Sequence, residues 1–367
     1  MGVEMRIGVP KETKNHEYRV GLTPASATEL VNQGHEVWVE RGAGAAIDFS
    51  DEAYRRVGVK MVSTSDAFSA DVVVKVKEPS LQECARLGAD QVLFTYLHLA
   101  AAELQAKALL ASGCTAIAYE TVSNEQGQLP LLSPMSEVAG RMSIQVGAYA
   151  LQKSAGGRGT LLGGVPGVAP GKVVVLGGGM AGTNAAYMAC GLQADVTILD
   201  KSVDRLRFLD QAFAGRAKVL MASDDNVAIS VRSADLVIGA VLVPGAAAPK
   251  LVDRSLLREM QQGAVLVDIS IDQGGCFESS RPTTHDIPTY IEEGVVHYCV
   301  TNMPGGVART ATEALNNVTL PYVKSLASKG WRQALLDDAG FAKGLNISAG
   351  RLVHGAVAEA LGLPCAA

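Results

Sequence analysis

Apolar positions along the chain alternate between short runs that suit buried strands and stretches whose apolar residues recur at helical spacing. Arg6–Val9 predicts a strand. Thr23-Pro24 then supplies an N-cap residue and a proline at the first helical position, and predicts a helix to about Gln33 that Gly34 stops. Glu36–Glu40, Asp71–Val76, Gln91–Tyr96 and Thr115–Ala118 predict further strands, with helical stretches between them. Strands separated by helices imply a parallel sheet covered on both faces.

The pattern changes near Leu129–Ser136. Ser133-Pro134 again reads as a helix start, and Val138, Met142, Val146 and Tyr149 follow at helical spacing. A glycine-rich stretch from Gly156 to Gly167 precedes a second α/β series, with strands expected at Lys172–Leu176, Val196–Leu199, Asp235–Ala240 and Ala264–Ser270. After about Asn302 the pattern predicts helix, roughly Thr310–Lys329 and then scattered helix to the end. That tail is too small for a domain of its own, so it is expected to return to the first one. The fold class expected is α/β, with two Rossmann-like, doubly wound parallel-sheet domains.

Composition agrees. At about 100–200 residues per domain, 367 residues suggest two domains, and 48% apolar against 19% charged residues is the balance of a packed protein. The net charge of −5 is spread thinly and no basic stripe appears, which argues against nucleic acid as a partner. Cys84, Cys114, Cys190, Cys276, Cys299 and Cys365 are far apart, so neither a zinc site nor a redox dithiol is expected, only buried free thiols. The longest apolar stretches are interrupted by glycine, proline or Lys172, which argues against a membrane span. The first residues lack the apolar core of a signal peptide, and Arg6 occupies the position where a myristoylation signal has Ser or Thr. The expected location is cytoplasmic.

The strongest local motif follows the strand Lys172–Leu176. Gly177-Gly-Gly179-Met-Ala-Gly182 reads as Gly-x-Gly-x-x-Gly between a strand and a helix, and Asp200 ends the next strand, 18 residues beyond Gly182. Gly177 permits the tight turn, Gly179 leaves room for a pyrophosphate, and Gly182 lets helix and strand pack closely. The helix N-terminus offers N–H groups to the phosphates. Asp200 suits ribose hydroxyls and repels a 2′-phosphate, so NAD is the expected cofactor. Arg205, close behind it, joins the candidate cofactor-binding residues.

Ligands of open α/β sheets bind beyond the carboxyl ends of the strands. Polar residues gather at such ends, including Lys11, Glu12 and Lys14 after the first strand and Glu78 beside Lys77, and two cations, an imidazole and a carboxylate fall at four matching ends. Arg19 follows the first strand, Lys77 follows Asp71–Val76, His98 follows Gln91–Tyr96, and Asp272 follows Ala264–Ser270. Arginine and lysine suit a substrate carboxylate. Oxidising a C–N bond needs a group that exchanges protons near neutral pH, and histidine is the natural one. Each residue has a plainer role open to it: a surface ion pair for Arg19, a snorkelling stem for Lys77, a core imidazole for His98, a turn for Asp272.

Several further segments carry a resemblance. These include Gly8-Val-Pro-Lys-Glu12, Val76-Lys-Glu-Pro79, Phe94-Thr-Tyr-Leu-His98, Ala118-Tyr-Glu-Thr121, Pro134-Met-Ser136, Gly239-Ala-Val-Leu-Val-Pro-Gly245, Val267-Asp-Ile-Ser-Ile-Asp272 and Asn302-Met-Pro304. With them the chain resembles the bacterial alanine dehydrogenases and, more distantly, the NAD-binding subunit of proton-translocating transhydrogenase. The resemblance implies a catalytic domain of residues 1–130 with 308–367, an NAD-binding domain of residues 131–307 inserted into it, and a homohexamer. It implies reversible oxidative deamination of L-alanine to pyruvate and ammonia. Arg19 and Lys77 would bind the substrate, and His98 and Asp272 would be the catalytic pair. Ser136, Gly177, Gly179, Gly182, Asp200, Val241, Leu242, Asn302 and Met303 would contact NAD. Gly306-Val-Ala308-Arg309 departs from the family pattern, with glycine and alanine where alanine and proline are usual.

Overall fold

The computed structural model of the chain describes residues 4–241 and 248–366. They form two compact units, Met1–Met135 with Val307–Ala367 and Ser136–Gly306. The first unit begins with strands β1 (Arg6–Val9), β2 (Glu36–Glu40), β3 (Lys60–Val62), β4 (Val72–Val74), β5 (Val92–Thr95) and β6 (Thr115–Ala118). The second contains β7 (Lys172–Leu176), β8 (Asp195–Asp200), β9 (Lys218–Met221), β10 (Leu236–Gly239), β11 (Val265–Asp268), β12 (Thr289–Glu292) and β13 (Val295–Tyr298). The chain then returns to the first unit with β14 (Leu345–Ser348) and β15 (Arg351–Leu352).

Both sheets follow one plan. In the first the order is β15-β14-β6-β5-β4-β1-β2-β3, and in the second β12-β13-β11-β10-β7-β8-β9. The six strands β3-β2-β1-β4-β5-β6 are parallel, as are β9-β8-β7-β10-β11-β13. Each set reverses direction of travel once, between β1 and β4 and between β7 and β10. These switch points are where doubly wound sheets open a crevice for ligands. The antiparallel strands lie at the edges.

Burial on both faces explains the unbroken apolar strands. In the second unit Val173, Val175, Ile198, Ile238, Val265 and Val267 enter one core, while Val174, Leu176, Leu199, Val237 and Leu266 enter another. Alternate residues of one strand thus need apolar partners on opposite sides.

Beyond the strands β3, β9, β12 and β13, which the sequence reading did not anticipate, three features depart from the sequence-based expectation. The tail is not helical throughout, because β14 and β15 form a hairpin that extends the first sheet through β6. Two short strands carry too little periodicity to be read locally, and a free edge on β6 makes them strands. The helix Ala308–Asp337 is longer than predicted, but Gly330, at φ 72° and ψ 157°, breaks it near the expected end at Lys329. Its inward residues Ala311, Leu315, Thr319, Val323 and Leu326 are buried. Finally, the six cysteines are free, but Cys190 is only half-buried and Cys365 is exposed. No helix of the described residues is long and apolar enough to cross a membrane.

Arg6 joins the start of β1 to the residue before β4. Its Nε and Nη2 donate to Asp71 at 3.2 and 2.6 Å, and its main-chain N–H donates to the same carboxylate at 2.8 Å. Hydrogen bonds from Arg6 hold the Asp71 carboxyl below its ordinary range. A depressed carboxylate contributes stability above its unfolded pKa and loses it as pH falls through the folded value. Asp71→Asn should therefore cost about 1 kcal/mol near neutral pH, discounted for solvent screening. The difference should shrink as pH falls below the ordinary carboxylate range and vanish once pH is below the folded value, where both chains carry a neutral group. Melting temperatures of parent and variant across that range check this.

Candidate active site

In the first unit the loops at the carboxyl ends of β1, β4, β5 and β6 carry the polar groups. Arg19 is 2% exposed, and its Nε and Nη2 donate to the two oxygens of Glu17 at 2.7 and 2.5 Å. Burial opposes the charge, yet Glu17 overcomes it and holds the guanidinium above its usual pKa. Arg19 Nη1 contacts Met135 Sδ at 3.1 Å. The returning C-terminal helix fixes the following segment, since Thr23 N donates to Asn316 Oδ1 at 2.8 Å and Val20 N to Thr312 Oγ1 at 3.4 Å. Arg19 is therefore a rigid, permanently charged group at a strand end rather than a surface ion-pair partner.

His98 adopts a left-handed conformation, φ 50° and ψ 37°. One carboxylate stabilises that turn: Glu120 accepts from Leu97 N at 3.1 Å and from His98 N at 2.6 Å, and lies 4.0 Å from His98 Nδ1. The imidazole stacks on Tyr96 with centroids 5.8 Å apart and planes 5° apart. Its side chain is 51% exposed, so it is not a core histidine. Tyr96 is buried, its hydroxyl donates to Leu131 O at 2.5 Å, and burial pushes its phenol far up.

Lys77 is half-buried after β4. Its main-chain N–H donates to Glu12 Oε1 at 3.3 Å and its C=O accepts from Thr95 Oγ1 at 3.0 Å. Three of the predicted residues thus follow the adjacent parallel strands β1, β4 and β5. Arg19 feels both Tyr96 and Glu12 electrostatically. Tyr96 carries the His98 ring, and Glu12 holds the Lys77 backbone. Two cations and an imidazole on one rim can bind a carboxylate and move protons beside it.

Asp272 belongs to the second unit and is exposed, in the short turn Ile269–Gln273 after β11. The neighbouring Asp268 anchors that turn. It is fully buried and accepts from Ser270 N at 3.0 Å, Cys276 N at 2.9 Å and Ser280 Oγ at 2.5 Å. Burial raises its pKa, against those hydrogen bonds.

The glycine loop lies at the β7/β10 switch point. Gly177 has φ 95°, and a Cβ there would come within 2.7 Å of Ala240 O and 3.0 Å of Val241 Cγ2. A Cβ on Gly182 would stand 1.8 Å from Gly177 O. A Cβ on Gly179 would meet nothing within 4 Å, so its absence serves no internal packing. Gly179 also begins the helix Met180–Gly191 with no side-chain cap on the first N–H groups. An open approach onto uncapped N–H groups fits a pyrophosphate. Asp200 accepts from Gly178 N and Ser202 N, each at 2.8 Å, and an ionised carboxylate keeps further lone pairs for ribose hydroxyls. The donor set fits NAD.

Arg205 is turned onto the loop itself. It donates to Gly178 O through Nε and to Thr183 Oγ1 at 2.7 Å, and lies 4.4 Å over the Phe208 ring. Desolvation lowers its pKa against the attraction of Asp200. Val241 O accepts from Ser270 Oγ at 2.7 Å, tying the β10 loop to the β11 loop. Ser136 is half-buried in the first turn of the helix Ser133–Ala150. Asn302 has φ 62° and its carbonyl lies 3.2 Å from His285 Nε2, so this histidine touches a candidate cofactor residue. Met303 is buried in the core of its unit. Leu242 lies outside the described residues. Among the described residues no group of three His, Cys, Asp or Glu side chains is placed to hold a metal ion.

Two family models cover nearly the whole chain: "Alanine dehydrogenase/PNT, N-terminal domain" matches residues 8–139, and "Alanine dehydrogenase/PNT, C-terminal domain" matches residues 143–355. The chain belongs to the alanine dehydrogenase/PNT family. An alanine dehydrogenase of Halomonas elongata is 58% identical over 361 residues, covering 98% of this chain and 97% of the relative. One from Mycobacterium tuberculosis is 54% identical over 362 residues, covering 98% of each. A solved L-alanine dehydrogenase structure superposes with a TM-score of 0.95 at 54% identity, covering 98% of this chain and 99% of that one. A transhydrogenase from Sinorhizobium meliloti gives 0.81 at 25% identity, covering 96% and 99%. The α/β architecture of the family is thus the architecture found here.

Sequence reasoning overlooked the residues that hold the site in place. Glu17 stands two residues before Arg19, Glu120 lies in a segment already singled out, and Asp268 precedes Asp272 by one turn. Lys75 interrupts a run of valines. A charge inside an apolar strand end was the available signal.

The two glycines make opposite predictions. Gly179→Ala should fold with an unchanged or slightly higher melting temperature, because its conformation (φ −66°, ψ −162°) suits alanine, yet bind NADH at least about tenfold more weakly. Gly182→Ala should lose both NADH binding and about 1–3 kcal/mol of stability, because the clash is with backbone. Fluorescence titration with NADH and thermal melts separate the two.

Proposed function

We propose that the chain is an NAD-dependent L-alanine dehydrogenase that converts L-alanine reversibly to pyruvate and ammonia. The observation that carries the reading is the rim of the first unit, where a buried, charged Arg19, Lys77 and His98 follow the adjacent parallel strands β1, β4 and β5. The names of the relatives supply the substrate.

Arg19 binds the substrate carboxylate, and Lys77 binds the carboxylate and the carbonyl oxygen of pyruvate. NAD, held by the glycine loop and Asp200, would supply the acceptor for the hydride of the α-carbon. Loss of hydride leaves a substrate imine, and water adds to its carbon. His98 takes the proton from that water and returns one to the departing nitrogen, so ammonia leaves as the carbonyl forms. Asp272 places a negative charge for the cationic nitrogen. Glu17 and Glu120 keep Arg19 and the His98 turn in place. Arg205 braces the glycine loop, and Asp200 sets the preference for NAD. A homohexamer in the cytoplasm completes the reading and is supported by resemblance.

Purified protein should reduce NAD with L-alanine alone, far faster than it reduces NADP or uses larger amino acids. Binding of NADH without any amino-acid turnover would favour a role like that of the transhydrogenase instead. His98→Ala should lower turnover about 10²–10⁴-fold with the fold intact. Asp272→Asn should lose most turnover while NADH still binds. Turnover within about threefold of the parent would leave Asp272 only its turn, which asparagine makes equally well.

A further inference from the structure

Lys75 is the one charged residue in the run Val72-Val-Val-Lys-Val76, and its side chain is 1% exposed. Its Nζ lies 3.1 Å from Glu12 Oε2 and 3.2 Å from Glu83 Oε1. Burial alone would push this ammonium down, but the two carboxylates reverse the effect and hold it above its ordinary value. The second oxygen of Glu12 accepts from Val76 N at 2.7 Å and from Lys77 N at 3.3 Å. Glu83 is committed likewise, since its Oε2 accepts from Ser80 N at 2.7 Å and caps the helix Leu81–Cys84.

The backbone around Lys77 is therefore tied on every side. Its N–H goes to Glu12 and its C=O to Thr95 Oγ1, and the next residue, Glu78, pairs with Lys14. Glu12 can serve this purpose only while its carboxylate keeps this orientation, and the Lys75 ammonium holds its other oxygen. Apolar residues in place of all three of Lys75, Glu12 and Glu83 would satisfy the core, because replacing a whole buried ion-pair cluster by apolar groups is often neutral or stabilising. The charge at this position answers to something other than packing.

We propose that Lys75 is a positioning residue for the reaction, holding one oxygen of Glu12 so that the other fixes the main chain of Val76 and Lys77 and thereby aims Lys77 at the substrate. The proposal rests on the reading of Lys77 as a substrate-binding residue. Lys75 touches neither substrate nor cofactor in this scheme. A misplacement of about 1 Å at a binding group is enough to cost on the order of 10²-fold in rate.

The test is a double-mutant cycle on the full-length protein, with Lys75→Met, Lys77→Ala and the pair combined. Residues that act through one another give non-additive losses, whereas independent sites add. Pyruvate affinity is read by fluorescence of the NADH complex, NADH affinity by direct titration, and folding by thermal melts. Lys75→Met is expected to weaken pyruvate binding at least about tenfold and to leave NADH affinity unchanged. In the Lys77→Ala background it is expected to cost nothing further. Losses that multiply in full, or a Lys75→Met protein that binds pyruvate like the parent, overturn the positioning role while leaving the function intact. Normal pyruvate binding in Lys77→Ala itself overturns the reading of Lys77, and the proposal with it. If Lys75→Met fails to fold, Glu12→Gln takes its place in the same cycle with the same criteria. It keeps the acceptor oxygen but brings an amide against the ammonium.

Discussion

A parallel sheet buried on both faces confines polar side chains to the ends of its strands, and both units of this protein are organised by that confinement. Along β7 successive valines enter opposite cores, so no position in the strand interior can carry a charge cheaply. Chemistry collects where each strand stops. Arg19, Lys77 and His98 follow β1, β4 and β5, while the glycine loop, Asp200 and Asp272 follow β7, β8 and β11. The repeated strand order places a switch point in each sheet, and in the second the glycine loop occupies it.

Strand ends alone do not make a site, because loops must be held still. Here buried or half-buried carboxylates do the holding. Glu12, Glu17 and Glu120 each accept from main-chain N–H groups or from a cation at a strand end, and Asp268 does the same in the second unit. A carboxylate has lone pairs enough to satisfy several donors at once. One such residue can fix a loop of several amides, provided its charge is compensated or its burial tolerated. Lys75 compensates Glu12, Arg19 compensates Glu17, and Asp268 makes do with hydrogen bonds while its pKa rises.

The cations show the same division of labour. Lys75 and Arg205 look like ligand-binding groups by residue type, yet both face inward onto the protein's own acceptors. Arg19 is also paired, but its pairing with Glu17 stabilises a charge that burial would otherwise oppose. What distinguishes a binding cation from a structural one is which acceptors are within reach, and residue type says nothing about that.

The sequence by itself determined the fold class, most strands of the two parallel sets, the glycine fingerprint with its acid, and the residues at the strand ends. All of these are local: an apolar run, a cap, a spacing or a polar residue after a strand is visible within about ten positions. Tertiary structure decided the rest. The strands β14 and β15 exist because β6 offers a free edge, and nothing in Leu345–Ser348 announces it. Asn316 holds the turn after Arg19 from 293 positions away. Glu12 reaches the N–H of Val76 across 64 residues. Hydrogen bonds between distant segments leave no periodicity in the chain, so the residues that aim the site became visible only once the sheets had brought them together.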